Sequence, residues 1–117
     1  MVEVKKEIAQ GVVIISVKGE LDASSALVFD NAVEAVIAER PASILIDCSA
    51  LEYVSSPGIG VFISRHGECE DKNIRFALCN VSSKISNVLK ILGLDQVVKV
   101  YTTTDEATTA MGASHQP

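Results

Sequence analysis

Apolar and polar positions alternate in two distinct periods along the chain, and the switches between them mark out its elements. Val2, Val4 and Ile8 alternate with charged residues as a half-exposed edge strand does, and Gln10-Gly11 offers a turn into a second run, Val12 to Lys18. That second run is nearly continuous in β-branched residues, so it is expected to be more buried than the first. Gly19-Glu20-Leu21-Asp22 is expected to break the strand, and Ser24 or Ser25 can cap the helix that follows. Ala26, Phe29, Val33, Val36 and Ile37 form a stripe of helical period, which Pro41 ends. Ser43 to Asp47 reads as a short central strand, and Ile74 to Cys79 as another.

Between those two strands lies Tyr53-Val54-Ser55-Ser56-Pro57-Gly58-Ile59-Gly60. Proline is well tolerated at the first helical position, so Pro57 there puts Ser56 at the N-cap of a helix running toward Glu70. A third helix follows, capped by Ser82 or Ser83, with Ile85, Val88, Leu89 and Leu92 on one stripe and Gly93 as its stop. Val97 to Tyr101 reads as a last strand. Thr104-Asp105-Glu106 opens a final short helix with acidic residues in its first turn. An opening hairpin followed by αβ repeats predicts a single α/β domain: a mixed sheet, its later strands parallel through crossovers, packed with about four helices. The domain is expected over residues 1–111, with residues 112–117 as a flexible tail.

Composition narrows what such a domain does. A chain of 117 residues suits one core, and a net charge of −5 argues against a phosphate-backbone partner, which needs clustered Lys and Arg. No direct nucleic-acid binding is expected. The three cysteines, Cys48, Cys69 and Cys79, lie far apart without a CxxC pair, so they read as buried thiols of a reducing compartment, with no metal and no cofactor. No window approaches the ~18 apolar residues of a membrane span, and the first residues carry no signal-peptide run, so a cytoplasmic protein without membrane insertion is expected.

Five segments, in order, carry a family resemblance: Gly19-Glu20-Leu21-Asp22, Ile44-Leu45-Ile46-Asp47-Cys48-Ser49, Tyr53 to Val61, Asn80-Val81-Ser82 and Ile91-Leu92-Gly93-Leu94. Together they resemble the STAS domain of anti-sigma factor antagonists, over nearly the whole chain. The resemblance implies a partner-switching protein rather than an enzyme. Its unmodified form would bind an anti-sigma factor that is also a serine kinase, freeing a sigma factor. Phosphorylation of one serine would reverse this, and a serine phosphatase would reset it.

The family's acceptor position falls on Ser56, with Ser55 as the second choice; Ser55 stands where the best-known members carry an acidic residue. The implied partner-binding surface comprises Asp22, Ser55, Ser56, Pro57, Gly58, Ile59 and Gly60. On physical grounds, Gly58 and Ile59 are expected to offer unpaired N–H groups to a phosphate, Gly58 and Gly60 to expose backbone, and Asp22 to help orient the Ser56 hydroxyl. Asp47, ending the adjacent strand, is a candidate for sharing that last role. The alternative is a scaffold or accessory subunit of a stress-signalling complex or transporter, without kinase control, and in either case a monomer or weak dimer.

A serine hydrolase is the enzymatic rival. His66 lies ten positions after Ser56, about 15 Å along one helix, and cannot reach its hydroxyl. His115 falls in the expected tail, and no catalytic residue is assigned.

Overall fold

The computed structural model describes residues 2–113; His115 and the rest of the expected tail beyond Ala113 lie outside them. Within that range the chain forms β1 (Val2–Ala9), β2 (Val12–Leu21), α1 (Ser25–Ala38), β3 (Ser43–Val54), α2 (Ser56–Asp71), β4 (Arg75–Cys79), α3 (Ser83–Ile91), a 3₁₀ turn (Leu94–Gln96), β5 (Lys99–Tyr101) and α4 (Thr104–Ala113). The strands lie in chain order in one sheet. β1 pairs antiparallel with β2, and all later pairs are parallel. This is the mixed α/β sheet that the hydrophobic periods predict.

Alternation along the central strands divides the core in two. Val13, Ile15, Val17, Ile44, Ile46 and Leu78 face one way, against Phe29, Val33 and Ile37 of α1, Phe62 of α2 and Leu89 of α3. Val12, Ile14, Leu45, Ala77 and Cys79 face the other way, against Ala107 and Met111 of α4. Both faces of β2, β3 and β4 are therefore covered, which is why their sequences are nearly unbroken aliphatic runs.

Several boundaries differ from expectation: β4 begins at Arg75 rather than Ile74, β5 begins only at Lys99, after the 3₁₀ turn, rather than at Val97, and three further shifts have a physical reason in the packing. β2 does not break at Gly19 but continues to Leu21, because β3 runs beside it as far as Val54; of its two register shifts, at Ser16/Lys18 and Gly19/Glu20, the second falls at the expected break. The same extension takes β3 seven residues past Asp47 (54 − 47). The last helix reaches Ala113, so Gly112, expected in the tail, is helical, and it packs where an added Cβ would stand 2.8 Å from the Gln10 carbonyl oxygen.

Candidate functional site

The parallel strands deliver their C-terminal ends and the following helices to one edge of the sheet. There the end of β2 is tied to the start of α2. The Leu21 carbonyl accepts both the Ser55 backbone N–H at 2.8 Å and the Ser55 hydroxyl at 2.6 Å. Ser55 is thereby held extended (φ −89°, ψ 175°), and its oxygen accepts weakly from the Gly58 N–H at 3.4 Å. Ser55, not Ser56, is the N-cap of α2. The bond from Leu21 fixes the cap one residue earlier than Pro57 alone suggests, and Ser56 opens the helix with Pro57 at its second position.

Ser56 is consequently exposed, and among the described residues its hydroxyl has no hydrogen-bond partner. The expectation that Gly58 and Ile59 present unpaired N–H groups does not hold. The Ile59 N–H donates to the Ser55 carbonyl at 2.9 Å, and that of Gly58 to the Ser55 side chain. Nor does Gly58 expose backbone: it is buried, and a Cβ on it would lie 2.7 Å from Val54 Cγ2 and 3.0 Å from Leu21 Cβ. Its role is to let α2 approach the ends of β2 and β3. Ile59 is buried too, whereas Pro57 is exposed, as is Gly60, the latter as expected.

Asp22 follows Leu21 at the same edge, but its carboxylate is not directed at Ser56. Its Oδ1 accepts the N–H groups of Ser24 and Ser25 at 3.1 and 2.9 Å and the Ser24 hydroxyl at 3.1 Å. Ser25 answers by accepting the Asp22 N–H at 2.9 Å and donating its hydroxyl to the Glu20 carbonyl at 2.6 Å. This reciprocal capping box starts α1, in place of a cap by either serine. The hydrogen bonds from Ser25 and Ser24 hold the Asp22 carboxyl at a pKa of about 2, below its ordinary 3.8. Asp47 is likewise engaged elsewhere, accepting from Asn80 Nδ2 at 3.0 Å and the Ser49 N–H at 3.0 Å.

Two grooves flank the Ser56–Gly60 ridge. One, of about 440 Å³, lies between α2 and α3 and is lined by Tyr53, Ser56, Ile59, Ile63, Val88 and Leu92 among others. The second, of about 330 Å³, lies between α1 and α2, with Ala23, Leu27 and Asp30 facing Pro57, Gly60 and Ser64. The α2–α3 groove has no charged side chain in its lining. In the other groove Asp30 is the charged residue, and Arg65 pairs with it through two bonds at 2.7 and 3.1 Å. Arg65 also holds Glu68 at 2.6 Å, so a single guanidinium braces α2 against α1.

Sequence reading assigned none of Leu27, Ile63, Val88 or Leu92 to the site. Val88 and Leu92 fit the α3 core stripe, yet they are 36% and 55% exposed while Ile85 and Leu89 carry the burial. Ile63 and Leu27 fall off the core stripes of their helices, which was the available signal.

The sequence profile of the STAS domain matches residues 3–107. The chain belongs to the STAS domain family. This STAS domain is 27% identical over 101 residues to the anti-sigma-F factor antagonist RsfB of Mycobacterium tuberculosis, covering 86% of this chain and 82% of that protein. It is 27% identical over 100 residues to the anti-sigma F factor antagonist of Paenibacillus polymyxa, covering 85% and 86%. The crystal structure of an anti-sigma factor antagonist from Mycobacterium paratuberculosis matches with a TM-score of 0.88 at 28% identity, over 95% of this chain and 94% of that one. Among the described residues of the STAS domain, no helix is long and apolar enough to cross a membrane.

Proposed function

We propose that this STAS domain is an anti-sigma factor antagonist working by partner switching, with Ser56 as its phosphoacceptor. In the unmodified state the ridge of Ser56, Pro57 and Gly60, with the grooves on either side, docks on an anti-sigma factor that is itself a serine kinase. A sigma factor is released, phosphate on Ser56 undoes the complex, and a serine phosphatase restores it.

The observation that carries this reading is an unbonded, exposed hydroxyl on a ridge with an uncharged groove on one side and an ion-paired carboxylate, Asp30, on the other. A phosphoryl group there adds roughly −1.5 to −2 charges. Because the first-turn donors of Gly58 and Ile59 are already engaged, that charge gains only the general attraction of the helix N-terminus and projects outward. The bonds of the Ser55 cap do not involve the Ser56 hydroxyl and are left in place. The docking surface, in contrast, acquires a hydrated dianion where a partner would have to exclude water. Ser55 suits the role of acceptor poorly, since its modification would sever the bond to Leu21.

The test is affinity for the anti-sigma factor recovered with this protein from its own cells. Ser56→Ala is expected to bind as the wild type does and to resist kinase treatment, whereas Ser56→Asp should lose ~1–3 kcal/mol. Equal affinities for all three, or phosphate mapped elsewhere by mass spectrometry, would exclude the switch at Ser56.

A further inference from the structure

β1 closes one end of the sheet. Its inner side pairs with β2, and among the described residues no strand pairs with its outer side. Which main-chain groups it offers there follows from the hairpin. Gln10 and Gly11 both have positive φ, 53° and 79°, as the central residues of a tight two-residue turn do, so the flanking Ala9 and Val12 form a hydrogen-bonded pair. Alternation along the antiparallel ladder then makes Glu7, Lys5 and Glu3 bond inward to Ile14, Ser16 and Lys18. The N–H and C=O groups of Val4, Lys6 and Ile8 point outward, an open row that can template another strand.

The side chains select the strand that fits. Glu3, Lys5, Lys6 and Glu7 cancel in charge, so the edge carries no field of one sign. Ile8 is 69% exposed. Outward groups must meet outward groups, which limits how a second β1 can lie antiparallel to the first. With the two-fold axis at Lys6, Val4 stands opposite Ile8 and Lys5 opposite Glu7, each pair occurring twice. Lys5 and Glu7 then occupy non-hydrogen-bonded positions, where opposed side chains come closest. Lys6 meets its own copy at the wider hydrogen-bonded position, and each ammonium is drawn back by Glu39 of its own chain at 3.3 Å. The other registers fit less well. An axis at Lys5 sets Glu3 against Glu7, one at Glu7 sets that carboxylate against itself, and one at Val4 leaves Ile8 outside the contact.

We infer that β1 is a self-association edge, through which two copies of this chain join antiparallel about Lys6 into one continuous sheet. Main-chain bonds at Val4, Lys6 and Ile8 supply the adhesion, the Lys5–Glu7 pairs fix the register, and Ile8 is covered by Val4 of the second copy. One strand is a narrow contact, so the association is weak and depends on concentration. β1 contributes no residue to either groove beside Ser56, and the inference is independent of the reading of that serine.

Sedimentation equilibrium of the full chain up to about 1 mM tests it. The mass is expected to rise from one chain toward two, and amide exchange at Val4, Lys6 and Ile8 to slow over the same range. Lys5→Glu and Glu7→Lys should each weaken the dimer by at least about tenfold, because symmetry turns two attractive pairs into two repulsive ones, and combining the two changes should restore it. Lys6→Cys should form an intermolecular disulfide on mild oxidation, since the Cα atoms of a hydrogen-bonded pair lie about 5.5 Å apart. One-chain mass throughout, amide exchange in β1 that ignores concentration, a double variant no tighter than either single one, or no disulfide at Lys6→Cys would overturn the inference. Mass and amide exchange are read on the wild-type protein and decide the matter even if a variant folds poorly.

Discussion

Replacing Ser55 with alanine removes a helix cap and the bond to the Leu21 carbonyl, and should cost about 1 kcal/mol of stability. Ser56→Ala, one residue later, deletes an exposed hydroxyl without a partner and should change stability by less than about 0.5 kcal/mol. Urea unfolding of both variants separates the structural serine from the presented one. The same measurement distinguishes the glycines. Gly58→Ala forces a Cβ into Val54 and Leu21 and should cost ~1–3 kcal/mol, whereas Gly60→Ala meets nothing within 4 Å and should be neutral or mildly stabilising. Asp22 sets a pH signature. Its folded pKa is depressed from 3.8 to about 2, so its stabilising contribution is full above about pH 4 and disappears as pH falls to about 2. Asp22→Asn keeps an oxygen acceptor but cannot titrate, so unfolding midpoints across that window should fall less steeply than in the wild type.

At the scale of elements, the hydrophobic periods disclosed strand and helix identities because those depend on which face is buried, a property written locally. Positions governed by long-range partners were not legible in the same way. The cap of α2 is decided by Leu21, 34 residues before Ser55 (55 − 21), and the length of β3 by the run of β2 beside it. The short-range pairs Arg65–Glu68 and Glu68–Lys72 have helical spacing visible in sequence, but the Asp30 partner that makes Arg65 a brace between helices does not. Similarly, nothing near Gly112 announces Gln10. Gly112→Ala should cost ~1–3 kcal/mol by pushing the last turn of α4 away from the β1–β2 turn. Amide exchange should then accelerate first in α4 and in the strand positions that it covers, such as Leu45 and Ala77.

Over the whole molecule, the sheet is sealed on both faces through β2, β3 and β4, and the thiols lie inside that seal. Burial raises the pKa of Cys69 and Cys79 to about 11, and that of Cys48 further. The native protein is therefore expected to resist a thiol-reactive disulfide reagent at neutral pH and to react at all three cysteines once unfolded in urea. Rapid labelling of the folded form would contradict the packing.

One carbonyl, that of Leu21, receives two hydrogens from a single serine. Strand end and helix start are thus riveted together immediately upstream of the presented hydroxyl, so the backbone there has no slack with which to answer a change in its neighbour's chemistry. A charge written at Ser56 would alter what the surface says while leaving its contour intact: the molecule would work as a label rather than a lever.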